Sequence, residues 1–141
     1  MIYGYVRVAA FDVENGGEFA ALQVKDIKRE YPDSNVIIEE CELLSERHIL
    51  NALIDKLTEG DVIVVSNIDR LFRGYIEALE IVKKIRKKGA TIVLLDLGKI
   101  DDSLDGETTM AYLTEQAEFE HQTRENYKFW LEHRNKIKVD N

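Results

Sequence analysis

Hydrophobic residues along the chain form two alternating patterns, short continuous runs and stripes at helical spacing. The runs at residues 2–8, 36–38, 61–65 and 91–95 are rich in β-branched residues, which is typical of buried strands in a parallel sheet. Between these runs, apolar residues recur every three or four positions and indicate helices at residues 18–31, 46–57 and 75–88. The pattern therefore predicts an α/β domain with a mainly parallel sheet of four to five strands flanked by helices.

The last part of the chain predicts one long helix over residues 106–136, where no Pro or further Gly interrupts a helical composition. Such a helix would span roughly 46 Å at about 1.5 Å per residue, whereas a compact chain of this size has a radius of gyration of about 14 Å. Its far half, which includes Phe129 and Trp130, therefore needs a cover. We expect a homodimer or higher homo-oligomer through this helix, with a helical hairpin inside the monomer as the alternative.

Composition changes this picture little. With 141 residues, 45% hydrophobic and 33% charged, the chain is expected to be one structural unit, an α/β part at 1–102 joined to the C-terminal helix at 103–141. Neither a membrane-length apolar run nor a secretory leader is visible, which favours the cytoplasm and no membrane partner. The single Cys41 and three scattered histidines predict no metal site, and nothing suggests a cofactor.

The distribution of charged residues suggests a local anion-binding site on a protein that is acidic overall. The formal net charge of −8 argues against a free-standing DNA binder, yet Arg7, Arg47, Arg70 and Arg73 fall beside predicted strand ends or helix starts. Arg70 and Arg73 are three residues apart and share one face of a helical turn. Because guanidinium groups bind phosphate through two parallel hydrogen bonds, the four arginines predict a phosphate site at one end of the sheet. The alternative is that they are solvated surface arginines.

Five features stand out along the chain, namely YGYVRV at 3–8, Arg47, GDVIVV at 60–65, DRLFR at 69–73 and AEFE at 117–120. Together and in this order they resemble one known family, the catalytic domain of the serine recombinases, also called the resolvase/invertase family. The resemblance covers nearly the whole chain, and the element at 69–73 after the strand is its most specific part.

The resemblance implies a flavodoxin-like fold with a long dimerising helix. It also implies DNA strand exchange without metal, in which a serine hydroxyl attacks a phosphodiester and becomes covalently joined to a DNA end. Arg7, Arg47, Arg70 and Arg73 match the positions that bind the scissile phosphate, and Asp69 matches a further active-site position. Clustered guanidiniums suit that role, since they stabilise charge that develops in the transition state.

The chain departs from the family at the position of the nucleophile. The serine of the family corresponds to Ala9, whose methyl group cannot attack phosphorus. Two family glutamines correspond to Val13 and Glu18, and a Glu-Arg pair in the long helix corresponds to Asn126 and Tyr127. We therefore expect a catalytically inactive pseudo-recombinase that acts as a dimerising or regulatory partner in DNA recombination and makes weak contact with DNA phosphate. A DNA-reading domain is expected to be absent.

Other interpretations remain open. The chain could be an active recombinase whose nucleophilic serine was mutated to Ala9. A neighbouring hydroxyl, Ser45 or Ser66, could separately substitute for the lost one. It could also be a protein-interaction module that binds no DNA. A third interpretation is a magnesium-dependent site, although four arginines at the same end of the sheet would disfavour the binding of a cation. The carboxylates for that site would be Asp12, Asp69, Asp96 and Asp101.

Overall fold

A five-stranded sheet forms the centre of the domain, in the order β2-β1-β3-β4-β5. The computed structural model describes residues 1–41, 47–68 and 74–134. The first four strands are parallel, and β5 is antiparallel to β4. This arrangement confirms the predicted fold class. The strands are β1 (Ile2–Val8), β2 (Asn35–Glu40), β3 (Val62–Val65), β4 (Thr91–Leu94) and β5 (Gly98–Ile100).

Five helices lie in the described part of the chain, and most begin or end within a few residues of the predicted positions. A one-turn helix that the hydrophobic pattern did not predict starts at Ala10, one residue after the end of β1. The predicted helix at 46–57 begins two residues later than expected, at His48. The helices are α1 (Ala10–Glu14), α2 (Glu18–Glu30), α3 (His48–Lys56), α4 (Tyr75–Lys87) and α5 (Leu104–His133).

Hydrophobic residues cover the sheet on both faces. Side chains alternate along β1, so Tyr5 packs on the face covered by α3, α4 and the start of α5, while Val6 packs on the face covered by α2. Leu113 of α5 belongs to the first cluster and Ile27 of α2 to the second. Because β1, β2 and β3 are parallel, their carboxyl ends meet at one edge of the sheet. Arg7 and Ala9, two positions of the predicted site, lie at this edge.

The long helix α5 runs unbroken for 30 residues, which corresponds to about 45 Å. Its N-terminus is capped by Ser103, whose hydroxyl accepts a hydrogen bond from the backbone N–H of Gly106 at 3.1 Å. Leu113 and Ala117 are its last fully buried residues, and residues 121–132 are all exposed. The alternative of a hairpin folding back within residues 104–133 is therefore wrong. None of the described helices combines the length and apolarity needed to cross a lipid bilayer.

Candidate phosphate-binding site at the carboxyl edge of the sheet

The end of β1 is held by a side chain of α2. Gln23, which is buried, donates from Nε2 to the carbonyl oxygen of Arg7 at 3.0 Å, and its Oε1 lies 3.4 Å from the backbone N–H of Arg7. Side chains of a strand alternate, so Arg7 and Tyr5 point to the same face of the sheet. That face is the one on which α3 packs. The half-buried Arg7 is thus placed on the side of the sheet that also carries Arg47.

Glu39 of β2 fixes the start of α3. Its carboxylate is 3% exposed and accepts hydrogen bonds from the backbone N–H groups of Ile49 at 2.7 Å and Leu50 at 3.2 Å. The hydroxyl of Tyr5 donates a third bond to it at 2.5 Å. A carboxylate at a helix N-terminus satisfies orphan donors and complements the helix dipole. Burial, and then the hydrogen bond and charge of Glu39, raise the pKa of the Tyr5 hydroxyl far above its usual range.

Arg47 occupies the N-cap position of α3 and is 5% exposed. Its Nη1 atom lies 3.0 Å from Oε1 of Glu77 on α4, so the two groups form an ion pair. None of the guanidinium nitrogens makes a hydrogen bond within the described residues, so the N–H groups of Arg47 do not point at the carboxylate of Glu77. An internal carboxylate therefore neutralises this guanidinium in the structure, and the prediction that Arg47 binds an external anion stays a prediction.

Ala9 follows β1 directly and is the N-cap residue of α1, with φ −85° and ψ 160°. Ala9 is exposed, and its correspondence to the family's serine stays a prediction from the resemblance. Val13 is 51% exposed on α1, and Glu18 is the exposed first residue of α2. All three positions lie in the segment from the end of β1 to the first residue of α2, and none of them offers a hydroxyl group.

The remaining members of the predicted site lie outside the described residues, namely Asp69, Arg70 and Arg73. They belong to the segment between Ile68, after β3, and Gly74, before α4. The convergence of all four arginines on one phosphate therefore stays a prediction.

The long helix α5 fixes the start of α4, a contact that the sequence reasoning missed. Glu120 accepts a hydrogen bond from the backbone N–H of Tyr75 at 2.6 Å, and its other carboxylate oxygen lies 2.7 Å from Nη2 of Arg124. Gly74 fits closely here, since a Cβ atom would lie 2.7 Å from Oε1 of Glu120. The AEFE stretch at 117–120 was the available signal, but a sequence cannot say which helix its second Glu reaches.

The other two family departures lie further along α5 and do not contact this cap. Asn126 accepts a hydrogen bond from Gln122 of the same helix at 3.2 Å. Tyr127 is 60% exposed and stacks on Trp130 with ring centroids 6.1 Å apart. Both side chains are therefore presented on the outside of the far half of the helix.

The carboxylates of the magnesium interpretation serve separate local purposes. Asp12 is buried and caps α2, accepting from the backbone N–H groups of Phe19 at 2.9 Å and Ala20 at 3.1 Å. Asp96 accepts from the backbone of Ile68 at 3.3 Å. In the ranges 1–41, 47–68 and 74–134, no three His, Cys, Asp or Glu side chains gather as metal ligands would.

Asp101, the next carboxylate of that interpretation, lies at the turn before α5. Hydrogen bonds from the hydroxyl and backbone N–H of Ser103 lower the pKa of its carboxyl group below the usual range. Asp69 lies outside the described residues.

Comparison with known proteins agrees with this geometry. The family model described as "Resolvase, N terminal domain" matches residues 2–136. The chain therefore belongs to the resolvase N-terminal domain family of serine recombinases. Among its relatives, the transposon Tn501 resolvase of Pseudomonas aeruginosa is 28% identical over 120 residues, covering 83% of this chain and 60% of that protein. The transposon Tn2501 resolvase of Escherichia coli is 34% identical over 77 residues, covering 54% and 40%.

Two solved structures share the fold. A resolvase family site-specific recombinase from Streptococcus pneumoniae superposes with a TM-score of 0.70 at 18% identity, covering 97% of this chain and 98% of that one. The N-terminal catalytic domain of TP901-1 integrase superposes with a TM-score of 0.64 at 18% identity, covering 87% and 98%. The chain spans about 60% of the length of curated relatives such as the Tn501 resolvase.

Proposed function

We propose that this chain is a resolvase-like domain of site-specific DNA recombination that does not cleave DNA itself and acts as a dimerising or regulatory partner. The observation that carries the proposal is Ala9 at the carboxyl end of β1, the position of the family's nucleophile. Cleavage in this family needs an attacking oxygen, and a methyl group has none. The surrounding scaffold is retained, including Arg7 and Arg47, so weak binding of DNA phosphate is part of the proposal.

Burial argues against a substitute hydroxyl from the described part of the chain. Ser66, which follows β3, is 9% exposed, and its hydroxyl oxygen is buried away from solvent. A phosphodiester of duplex DNA cannot approach an oxygen in that position without displacing the end of the strand. Ser45, the other candidate, lies outside the described residues.

The far half of α5 supports dimerisation with a second copy of this chain. Tyr127, Phe129, Trp130 and Leu131 are 40–60% exposed there, although each has a large apolar side chain. A helix that is buried only up to Ala117 and then carries exposed aromatic residues gains stability when another surface covers it. A second α5 offers the same surface, and a two-fold pair buries both copies at once.

The direct test is incubation of the protein with supercoiled plasmid, followed by detection of covalent protein–DNA adducts on denaturing gels. We expect no adduct from the natural sequence and no relaxation of the plasmid. An adduct from the unaltered chain would overturn the proposal.

The variant Ala9→Ser separates natural loss of function from the active-recombinase alternative, and Ala10→Ser, which adds a hydroxyl one residue later, is its matched control. If the site is degenerate at Asn126 and Tyr127 as well, Ala9→Ser stays inactive. Strand exchange by Ala9→Ser with no activity in Ala10→Ser would instead favour a recombinase that lacks only its serine.

A further inference from the structure

We propose that Glu77 is a phosphate-excluding residue, whose carboxylate neutralises Arg47 and must withdraw before a phosphate can bind that arginine. The inference rests on the assignment of Arg47 to phosphate binding in the proposed function, and it names the residue that controls this binding. The observation behind it is the ion pair of 3.0 Å between Nη1 of Arg47 and Oε1 of Glu77.

The first step concerns charge. A guanidinium does not lose its proton in proteins, so Arg47 stays cationic although only 5% of it is exposed. A buried cation is costly unless an anion accompanies it. Glu77, whose side chain is 25% exposed, is that anion in this structure. A phosphate would have to replace the carboxylate beside the same guanidinium, since one cation needs only one neutralising partner.

The second step concerns hydrogen bonds. Nε, Nη1 and Nη2 of Arg47 have no hydrogen-bond partner within the described residues. Glu77 therefore supplies a compensating charge but accepts no hydrogen bond from the guanidinium. A phosphate can accept two parallel bonds from one guanidinium. Exchange of Glu77 for phosphate would therefore gain hydrogen bonds while keeping the charge balanced.

The neighbouring carboxylate Glu39 provides the contrast. Three hydrogen bonds, from Tyr5, Ile49 and Leu50, hold Glu39 in place at the start of α3. Removing it would leave backbone donors of the helix unsatisfied. Glu39 thus acts as a structural cap, whereas the contact of Glu77 with Arg47 is an ion pair in which no guanidinium N–H is hydrogen-bonded to the carboxylate.

The test is a titration of the full 141-residue chain with inorganic phosphate at constant ionic strength, followed by the NMR signal of the Arg47 Nε–H group. Glu77→Gln removes the competing charge and keeps the side-chain size. Glu80→Gln is the matched control, because it makes the same change of charge at an exposed position one turn further along α4. We expect Kd for phosphate to fall at least tenfold in Glu77→Gln and by less than twofold in Glu80→Gln. Equal Kd values in the two variants would overturn the inference.

A second pair of variants keeps the test decisive. Glu77→Asp retains the charge and draws it back by one methylene, so it should bind phosphate more tightly than the natural chain but less tightly than Glu77→Gln. If Glu77→Gln does not fold, an unchanged Kd in Glu77→Asp overturns the inference. Adding Arg47→Lys to Glu77→Gln should abolish the gain, because lysine lacks the two-point fork. A gain that persists there would place the phosphate elsewhere and refute the proposal.

The outcome is separate from that of the proposed function. Phosphate binding needs no nucleophile, so covalent adducts formed by the natural chain would overturn the pseudo-recombinase proposal and leave the role of Glu77 standing. An unchanged Kd in the Glu77 variants would overturn the role of Glu77 and leave the pseudo-recombinase proposal standing.

Discussion

The variant Tyr5→Phe removes one hydroxyl from the buried network that holds α3 against the sheet. Tyr5 is fully buried, and its hydroxyl donates to the carboxylate of Glu39 at 2.5 Å. The phenyl ring of the variant keeps the packing in the main core and deletes only this bond. Glu39 keeps its two backbone donors, Ile49 and Leu50, so the helix start is weakened but not lost.

At pH 7 we expect Tyr5→Phe to lower the free energy of unfolding by about 1.5–3 kcal/mol, the range for a hydrogen bond to a charged acceptor. Part of this loss comes from the buried carboxylate, which cannot recruit water in place of the hydroxyl. The loss should be clearly larger than that of the control Tyr3→Phe, since within the described residues the hydroxyl of Tyr3 has no hydrogen-bond partner and its ring contacts Lys56 instead.

The difference between natural protein and variant should shrink at high pH. The pKa of Tyr5 is raised by burial and by Glu39, so the unfolded chain loses this proton near its ordinary pKa of 10.0 while the folded chain keeps it. The stabilisation is complete below that pH and declines above it by about 1.4 kcal/mol per pH unit, until the folded pKa is reached. At pH 11 the advantage of Tyr5 should therefore be about 1.4 kcal/mol smaller than at pH 7.

Urea unfolding at both pH values, analysed by linear extrapolation, measures these free energies directly. Comparing Tyr5→Phe with the natural chain cancels the titration of all other tyrosines and lysines. A loss below about 0.5 kcal/mol at pH 7, within the range of ordinary surface substitutions, would refute the role assigned to this bond. A difference that stays constant or grows up to pH 11 would refute the upward shift of the Tyr5 pKa.

Three further substitutions test other parts of the structure. Asp12→Asn should lower the free energy of unfolding by about 1–2 kcal/mol in thermal or urea unfolding, because it weakens the cap of α2, whereas the exposed Glu14→Gln should change it little. Gly4→Ala should cost about 1–3 kcal/mol in the same assay, since its Cβ would lie 2.9 Å from Cγ2 of Ile27; a neutral effect would mean that this methyl group moves aside easily. The dimer proposed through the far half of α5 should dissociate in Trp130→Glu, as measured by analytical ultracentrifugation, and a dimer that persists in this variant would place the interface elsewhere.

The sequence predicted the elements of the fold because their signals are local. Buried parallel strands such as residues 62–65 read as continuous β-branched runs, and the helix at 75–87 repeats its apolar residues at helical spacing. The short helix at 10–14 was missed because five residues are too few to display a helical period. The absence of a hydroxyl group at Ala9 was also known from the sequence, since the identity of a side chain needs no coordinates.

Pairing between distant charges could not be predicted in the same way. Arg47 and Glu77 are 30 positions apart, and several carboxylates in the sequence are equally plausible partners for a buried guanidinium. The same holds for Glu39 and Glu120, which resemble ordinary surface acids in the sequence but cap the N-termini of α3 and α4. These contacts follow from how the helices pack against the sheet, which no short window of residues encodes.

By itself, the sequence determined the chain order of the first four strands and the four longer helices and the approximate length of the last helix, because each is a property of neighbouring residues. It also gave the identity of Ala9, from which the proposed loss of a nucleophile follows only by resemblance to the family. Only the tertiary structure decided that Arg47 is buried against Glu77, and that α5 holds the start of α4 through Glu120. The physical reason is that the energy of a charge depends on its burial and on the groups within a few ångströms, and both are set by the folded chain as a whole.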